Sequence, residues 1–161
     1  MRAYQTPSGT ILVEEETPTE TPEKAVIYAR VSSPDQREDL HRQVDRLKAF
    51  ASASGITVSR VVTEIGSGIN GRRSKFLALL SDPSVRCILV EHKDRVARFG
   101  FEMVEAALKA SGRRIIVVDE TELTDDLVSD MIDLLTSFCA RLYGKRSARN
   151  RARKALEAMQ E

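Results

Sequence analysis

Apolar residues change their spacing as one reads along the chain. A short apolar strand, Ala25–Val31, comes first. Helical spacing follows over Asp35–Ser54, where Leu40, Val44, Leu47 and Ala51 share one face and Gly55 marks the stop. Ile56–Ile65 reads as a second strand, rich in valine. A glycine-rich stretch, Gly66-Ser-Gly-Ile-Asn-Gly, precedes a short helix over Ser74–Leu80. Arg86–Glu91 is a third strand, Phe101–Ala110 a helix stopping near Gly112, and Arg114–Val118 a fourth strand. Strands alternating with helices predict an α/β three-layer sandwich around a mostly parallel sheet of four to five strands. In such sheets chemistry gathers in the loops beyond the C-terminal strand ends.

The last pattern, 124–161, is helical and long. Thr124 suits the N-cap, Asp125 and Asp126 suit the positive end, and no proline follows. Gly144 is the weak point, costing ~1 kcal/mol against alanine. A continuous helix to Ala158 would span ~50 Å. Leu127, Met131, Leu134, Phe138 and Leu142, with Val128, Ile132, Leu135 and Cys139 beside them, form a stripe too broad for one small sheet to cover. The first half is therefore expected to pack on another subunit, and the basic second half to lie on DNA. The alternative is a helix ending near Gly144 with a frayed basic tail. At the other end, residues 1–23 stand apart. Ala3–Val13 has the makings of a hairpin turning at Ser8-Gly9, and Pro18 and Pro22 mark a polar linker.

Composition narrows the class. The chain has 161 residues, 42% hydrophobic and 30% charged, which suits a soluble globular domain. No apolar run approaches the ~18 residues of a membrane span and no signal peptide opens the chain, so the expected location is cytoplasmic, with no membrane partner. Cys87 and Cys139 sit in apolar runs and read as buried free thiols ahead of a disulfide. His41 and His92 are too few and too scattered for a zinc cluster. Net charge is only +1, but its distribution is uneven. Residues 1–23 carry five acids against one base, whereas Arg141, Lys145, Arg146, Arg149, Arg151, Arg153 and Lys154 occur with no acid among them. A basic end on a balanced chain points to an anionic partner, nucleic acid first.

Three clusters fall at or beyond strand ends: Tyr28-Ala-Arg-Val-Ser-Ser-Pro-Asp-Gln, Gly66-Ser-Gly-Ile-Asn-Gly-Arg-Arg and His92-Lys-Asp-Arg-Val-Ala-Arg. They supply hydroxyls, several arginines and, next to Arg95, the aspartate Asp94. They supply neither a Ser-His-Asp arrangement nor a two-metal carboxylate cage. A hydroxyl ringed by guanidiniums suits phosphoryl transfer, which needs positioning and charge stabilisation above all. Enough arginines can replace the metal ions used elsewhere, so neither metal nor cofactor is expected. Nearby cations also favour ionisation of a serine hydroxyl. Gly66 and Gly71 have the glycine spacing of a nucleotide-binding P-loop, but Arg72 and Arg73 stand where its lysine and magnesium-holding hydroxyl belong.

These residues resemble the resolvase/invertase family of serine recombinases. The likeness rests on Tyr-Ala-Arg-Val-Ser with Gln36 four residues after Ser32, a Gly-Ser-Gly loop followed by Arg73, and Asp94-Arg95 with Arg98, and it runs from Lys24 to Lys154. It implies that Ser32 is the nucleophile and that Arg30, Arg73, Arg95 and Arg98 hold and polarise the scissile phosphate. Asp94 would orient them or transfer a proton, and Gln36 would support the site. Arg72 competes with Arg73; Phe76 and Leu79 at family-like spacing favour Arg73. The implied reaction is DNA cleavage through a 5′-phosphoserine link, then strand exchange and rejoining without ATP. The implied partners are double-stranded DNA and further copies of the chain, as dimer and as synaptic tetramer.

A narrower likeness is to the small serine transposases of insertion sequences. It rests on Arg42-Gln43, the run Val90-Glu-His-Lys-Asp-Arg-Val-Ala-Arg-Phe-Gly, and Phe138-Cys-Ala-Arg-Leu-Tyr-Gly-Lys-Arg-Ser. In that branch a MerR-like winged helix precedes the catalytic domain. Arg2–Gly9 looks like its last wing, with the helix-turn-helix missing. The expected organisation is thus a wing remnant and linker at 1–23, a catalytic core at 24–123, and an oligomerisation and DNA-contacting helix at 124–161. Two other classes remain open: a non-catalytic oligomeric DNA-binding assembly module, and a flavodoxin-like small-molecule binder.

Overall fold

The computed structural model describes the chain except residues 1, 6–10, 15–23, 70–72, 122–123, 144–147 and 160–161. The turn at Ser8-Gly9, the linker prolines and Arg72 therefore lie outside the described residues, as do Gly144, Lys145 and Arg146. The side chains of Thr124, Asp125, Asp126 and Arg149 do as well.

Strands β1 (Arg2–Gln5) and β2 (Ile11–Glu14) pair antiparallel, with Gln5 opposite Ile11, as the expected hairpin requires. The main sheet has four strands: β3 (Lys24–Val31), β4 (Thr57–Ile65), β5 (Cys87–Val90) and β6 (Arg114–Val117). They run in the order β4-β3-β5-β6, and every pairing is parallel. A parallel strand is covered on both faces and so reads as a continuous apolar run. β3 fits: everything from Ala25 to Val31 is buried.

Alternate residues of β3 serve opposite layers. Ala25, Ile27, Ala29 and Val31 face α1 (Arg37–Ala53), which contributes Leu40, Val44, Leu47 and Ala51, the face read from its spacing. Val26 and Tyr28 face the other layer. There Phe76 and Leu79 of α2 (Ser74–Ser81) pack with Phe101 and Leu108 of α4 (Phe101–Ala110). Each large side chain removed from water this way contributes roughly 1.5–3 kcal/mol. Arg30 continues the series of Val26 and Tyr28, so the strand's pleat drives a charged side chain into the interior. A single helical turn, α3 (Lys93–Val96), follows β5 where the sequence suggested only a loop.

The C-terminal pattern needs correction. The single long helix expected over 124–161 is two helices, α5 (Thr124–Tyr143) and α6 (Ala148–Ala158). Cys139 of α5 packs against Ala152 of α6, with Leu135 and Ala140 at the edge of the cluster. In one straight helix those two residues would stand ~20 Å apart. The chain therefore folds back instead of projecting as a rod. The apolar stripe of α5 remains largely uncovered: Phe138 is 60% and Leu142 57% exposed.

Candidate active site

The loops after β3, β4 and β5 meet where the chain reverses direction across the sheet. From β3 it passes to β4 on one side and later returns to β5 on the other. Open parallel sheets form their crevice at such a point.

Arg30 occupies its centre and is fully buried. A charge can be held there only if protein oxygens replace its water. Its Nε donates to the Arg95 carbonyl at 3.2 Å, and its Nη2 to the Asp94 carbonyl at 2.8 Å. Its Nη1 donates to the Gly66 carbonyl at 2.6 Å and to Ser32 Oγ at 3.2 Å. Burial pushes the Arg30 pKa below the ordinary arginine value, and Asp130 is the strongest opposing influence. An arginine remains charged nonetheless.

Ser32 follows β3 directly and is half-buried. Gln36 Oε1 accepts from the amides of Ser32 at 3.0 Å and Ser33 at 3.1 Å, holding the turn that presents the hydroxyl. Ser33 is the N-cap of the turn and Pro34 follows it, as the sequence suggests. Arg73 is buried just ahead of α2. Its Nη1 donates to the Arg95 carbonyl at 3.0 Å, and its guanidinium stands 4.8 Å from the centre of the Phe76 ring. Asp94 and Arg95 belong to α3 and are buried. Asp94 pairs with Arg98 at 3.3 Å. All seven predicted residues (Arg30, Ser32, Gln36, Arg73, Asp94, Arg95 and Arg98) thus fall in one connected cluster.

Two acids escaped the sequence reading. Glu64, on β4 beside Arg30 in register, accepts from the amides of Lys75 at 3.0 Å and Phe76 at 3.2 Å, and from the Tyr28 hydroxyl at 3.0 Å. It fixes the first turn of α2 and so the residue before it, Arg73. Burial pushes the Tyr28 phenol well above its ordinary value; Arg73 opposes the shift and Glu64 adds to it. The other is Asp130 of α5, fully buried. Its Oδ1 accepts from Ser67 Oγ at 3.1 Å and the Gly68 amide at 3.1 Å, its Oδ2 from Arg98 Nε at 3.0 Å. The available signals were an acid closing a valine-rich strand and an acid on the apolar face of a helix, between Leu127 and Leu134.

His92 is buried: its Nδ1 meets the Asp119 carbonyl at 3.2 Å, and its other nitrogen lies 3.8 Å from Glu91. Cys87 and Cys139 are both buried thiols. Arg141, Arg151, Arg153 and Lys154 are exposed. Since α6 folds back, these bases do not extend along a rod.

Chemically, the Ser32 hydroxyl accepts from one buried guanidinium, that of Arg30, in a cluster that also holds Arg73, Arg95 and Arg98 and two carboxylates, Asp94 and Asp130. Among the described residues no group of acids, histidines and cysteines could hold a metal ion, and no helix is long and apolar enough to cross a membrane.

Comparison with known proteins agrees with this geometry. A family model described as the resolvase N-terminal domain matches residues 25–160. Uncharacterized proteins of Mycobacterium bovis and Mycobacterium tuberculosis are 53% identical over 135 residues, which is 84% of this chain and 46% of theirs. The chain thus spans about half the length of the curated relatives it matches. The C-terminal catalytic domain of IS1535 TnpA, an IS607-like serine recombinase, is 56% identical with a TM-score of 0.77, covering 85% of this chain and 99% of that one. A serine recombinase from Sulfolobus solfataricus is 36% identical with a TM-score of 0.72, covering 86% of this chain and 99% of its own.

Proposed function

The chain belongs to the resolvase family, and on that premise we propose that it cuts and rejoins DNA as a serine recombinase with Ser32 as nucleophile. Ser32 Oγ attacks a DNA phosphorus, the 3′-oxygen leaves and takes a proton, and a 5′-phosphoserine link remains. The link conserves the phosphodiester, so the free 3′-hydroxyl of an exchanged strand reverses the step without ATP. The observation that carries the reading is the hydrogen bond from Arg30 to Ser32 Oγ inside the arginine cluster. A cation donating to the hydroxyl oxygen favours its ionisation. Arg30, Arg73, Arg95 and Arg98 would neutralise charge on the non-bridging oxygens, where a lost donor typically costs 10²–10³ in rate. Asp94 would orient Arg98 and take part in proton transfer. Gln36 would hold the nucleophile's turn.

The remaining assignments follow from the same premise. Residues 1–23 are read as a wing and linker, 24–123 as the catalytic core, and 124–161 as the assembly and DNA-contacting segment. The exposed stripe of α5 supports self-association, as a dimer and, in the synapse, a tetramer. Arg141, Lys145, Arg146, Arg149, Arg151, Arg153 and Lys154 are the proposed contacts to the DNA backbone. A cytoplasmic location suits such a substrate.

The deciding experiment incubates the chain with supercoiled DNA and nicked duplexes in EDTA, beside Ser32→Ala. The expected result is a protein–DNA band that survives denaturation and vanishes in the variant. If no band forms even with a DNA-binding domain fused to the chain, while binding stays salt-sensitive, the chain is instead a non-catalytic assembly module.

A further inference from the structure

Asp130 is the one fully buried residue described in the N-terminal half of α5, and it is a carboxylate. Its neighbours on the helix do not share that burial: Val128 is 49% and Leu134 39% exposed. A helix normally docks through its apolar face. Here the deepest anchor is an anion, held by a hydroxyl, a main-chain amide and a guanidinium. Such donors converging on one point form a general anion seat, and a phosphate oxygen takes the same three kinds of partner.

The seat is built for close approach. A Cβ added at Gly68 would stand 2.9 Å from Arg30 Nη2, 3.0 Å from Asp130 Oδ2 and 3.3 Å from the Asp94 carbonyl. Only glycine can present its amide there. The seat also adjoins the reacting hydroxyl through a single side chain. Arg30 donates through Nη1 to Ser32 Oγ, while the Cβ position of Gly68 abuts its Nη2. Asp130 and Asp94 together offset two of the four guanidinium charges, and a DNA phosphate entering beside Asp130 would meet a like charge.

We propose that Ser67 Oγ, the Gly68 amide and Arg98 Nε form a seat for a non-bridging phosphate oxygen of DNA, and that Asp130 fills it as a competing anion while α5 is docked. The proposal rests on the recombinase reading of the site and adds its regulation. DNA can seat its phosphate fully only when α5 withdraws Asp130. Moving α5, the helix with the uncovered apolar stripe, therefore also opens the site. Assembly and cleavage become two readouts of one helix position.

Inorganic phosphate is the probe, because it reports on the seat without requiring activity. The full chain and Asp130→Asn are titrated with it while the Gly68 amide is followed by nitrogen-15 NMR. Removing a charged competitor from a charge-assisted site should tighten phosphate binding about tenfold or more, with the Gly68 resonance moving. In the native chain, phosphate should speed hydrogen exchange across α5. Equal affinities, or binding that leaves Gly68 undisturbed, overturn the proposal. If Asp130→Asn does not fold, the exchange measurement decides, and unchanged α5 exchange at saturating phosphate overturns it. A parallel assay for the Ser32 adduct separates the two readings. Adduct in neither protein, with the phosphate competition intact, removes the recombinase reading and leaves the seat. Adduct in the native chain that is lost in Asp130→Asn makes Asp130 a contributor to catalysis and overturns the competition.

Discussion

The arginine cluster and the α5–α6 hairpin are built on opposite principles. In the cluster the Arg30 and Arg73 guanidiniums are tied to the sheet's end by main-chain atoms, and Arg30 alone reaches the carbonyls of Gly66, Asp94 and Arg95. In the hairpin the two helices hold each other through small residues, Cys139 on Ala152, while large apolar side chains face outward. One region has its geometry fixed before any ligand arrives. The other has surface still to be buried. The proposed function needs both, because chemistry requires fixed donors and assembly requires a surface that changes partners.

The contrast breaks most sharply at Arg30. Arg30→Ala takes the guanidinium donor from the carbonyls of Gly66 and Asp94 and one of two donors from that of Arg95, so we expect unfolding stability to fall by about 3 kcal/mol or more and the Ser32 adduct to fall at least ~10²-fold. Denaturant melts and the adduct assay read the two effects. A variant as stable as the native chain would mean that the cluster is not preorganised by this residue. An intermediate effect is expected on the hairpin. Phe138→Glu should leave monomer stability within ~0.5 kcal/mol yet weaken self-association enough to see by sedimentation. Association that survives would move the interface off this stripe. The smallest effect belongs to the exposed bases of α6. Arg153→Gln with Lys154→Gln should lower the log–log salt slope of duplex binding by ~0.9 for each phosphate that is no longer neutralised, without changing the melt. An unaltered slope would remove α6 from the DNA face.

The same division governs what could be read from the chain. The periodicities of Ala25–Val31, of Leu40 to Ala51 and of Phe101–Ala110 are local, and each element appears where its pattern lies. The three clusters that carry chemistry were legible because each closes a strand, and parallel topology brings strand ends together. Glu64 and Asp130 were harder. Their partners lie far away in sequence, Tyr28 and Phe76 for one, Ser67 and Arg98 for the other, so no local period marks them. The fold-back of α6 was missed for a related reason. Helical spacing on either side of residues 144–147 is equally good, and only tertiary packing such as Cys139 on Ala152 tells one rod from two helices.

The carbonyl oxygen of Arg95 receives both Arg30 and Arg73. A main-chain atom is present whatever side chain occupies its position. The separation of these two guanidiniums is therefore inherited with the turn of α3 and cannot be edited by replacing residue 95. Substitutions there vary the charge offered to a substrate while the frame persists. A genetic survey of single-residue changes would credit position 95 with its guanidinium alone. The backbone joint that sets the spacing would stay silent in such a survey.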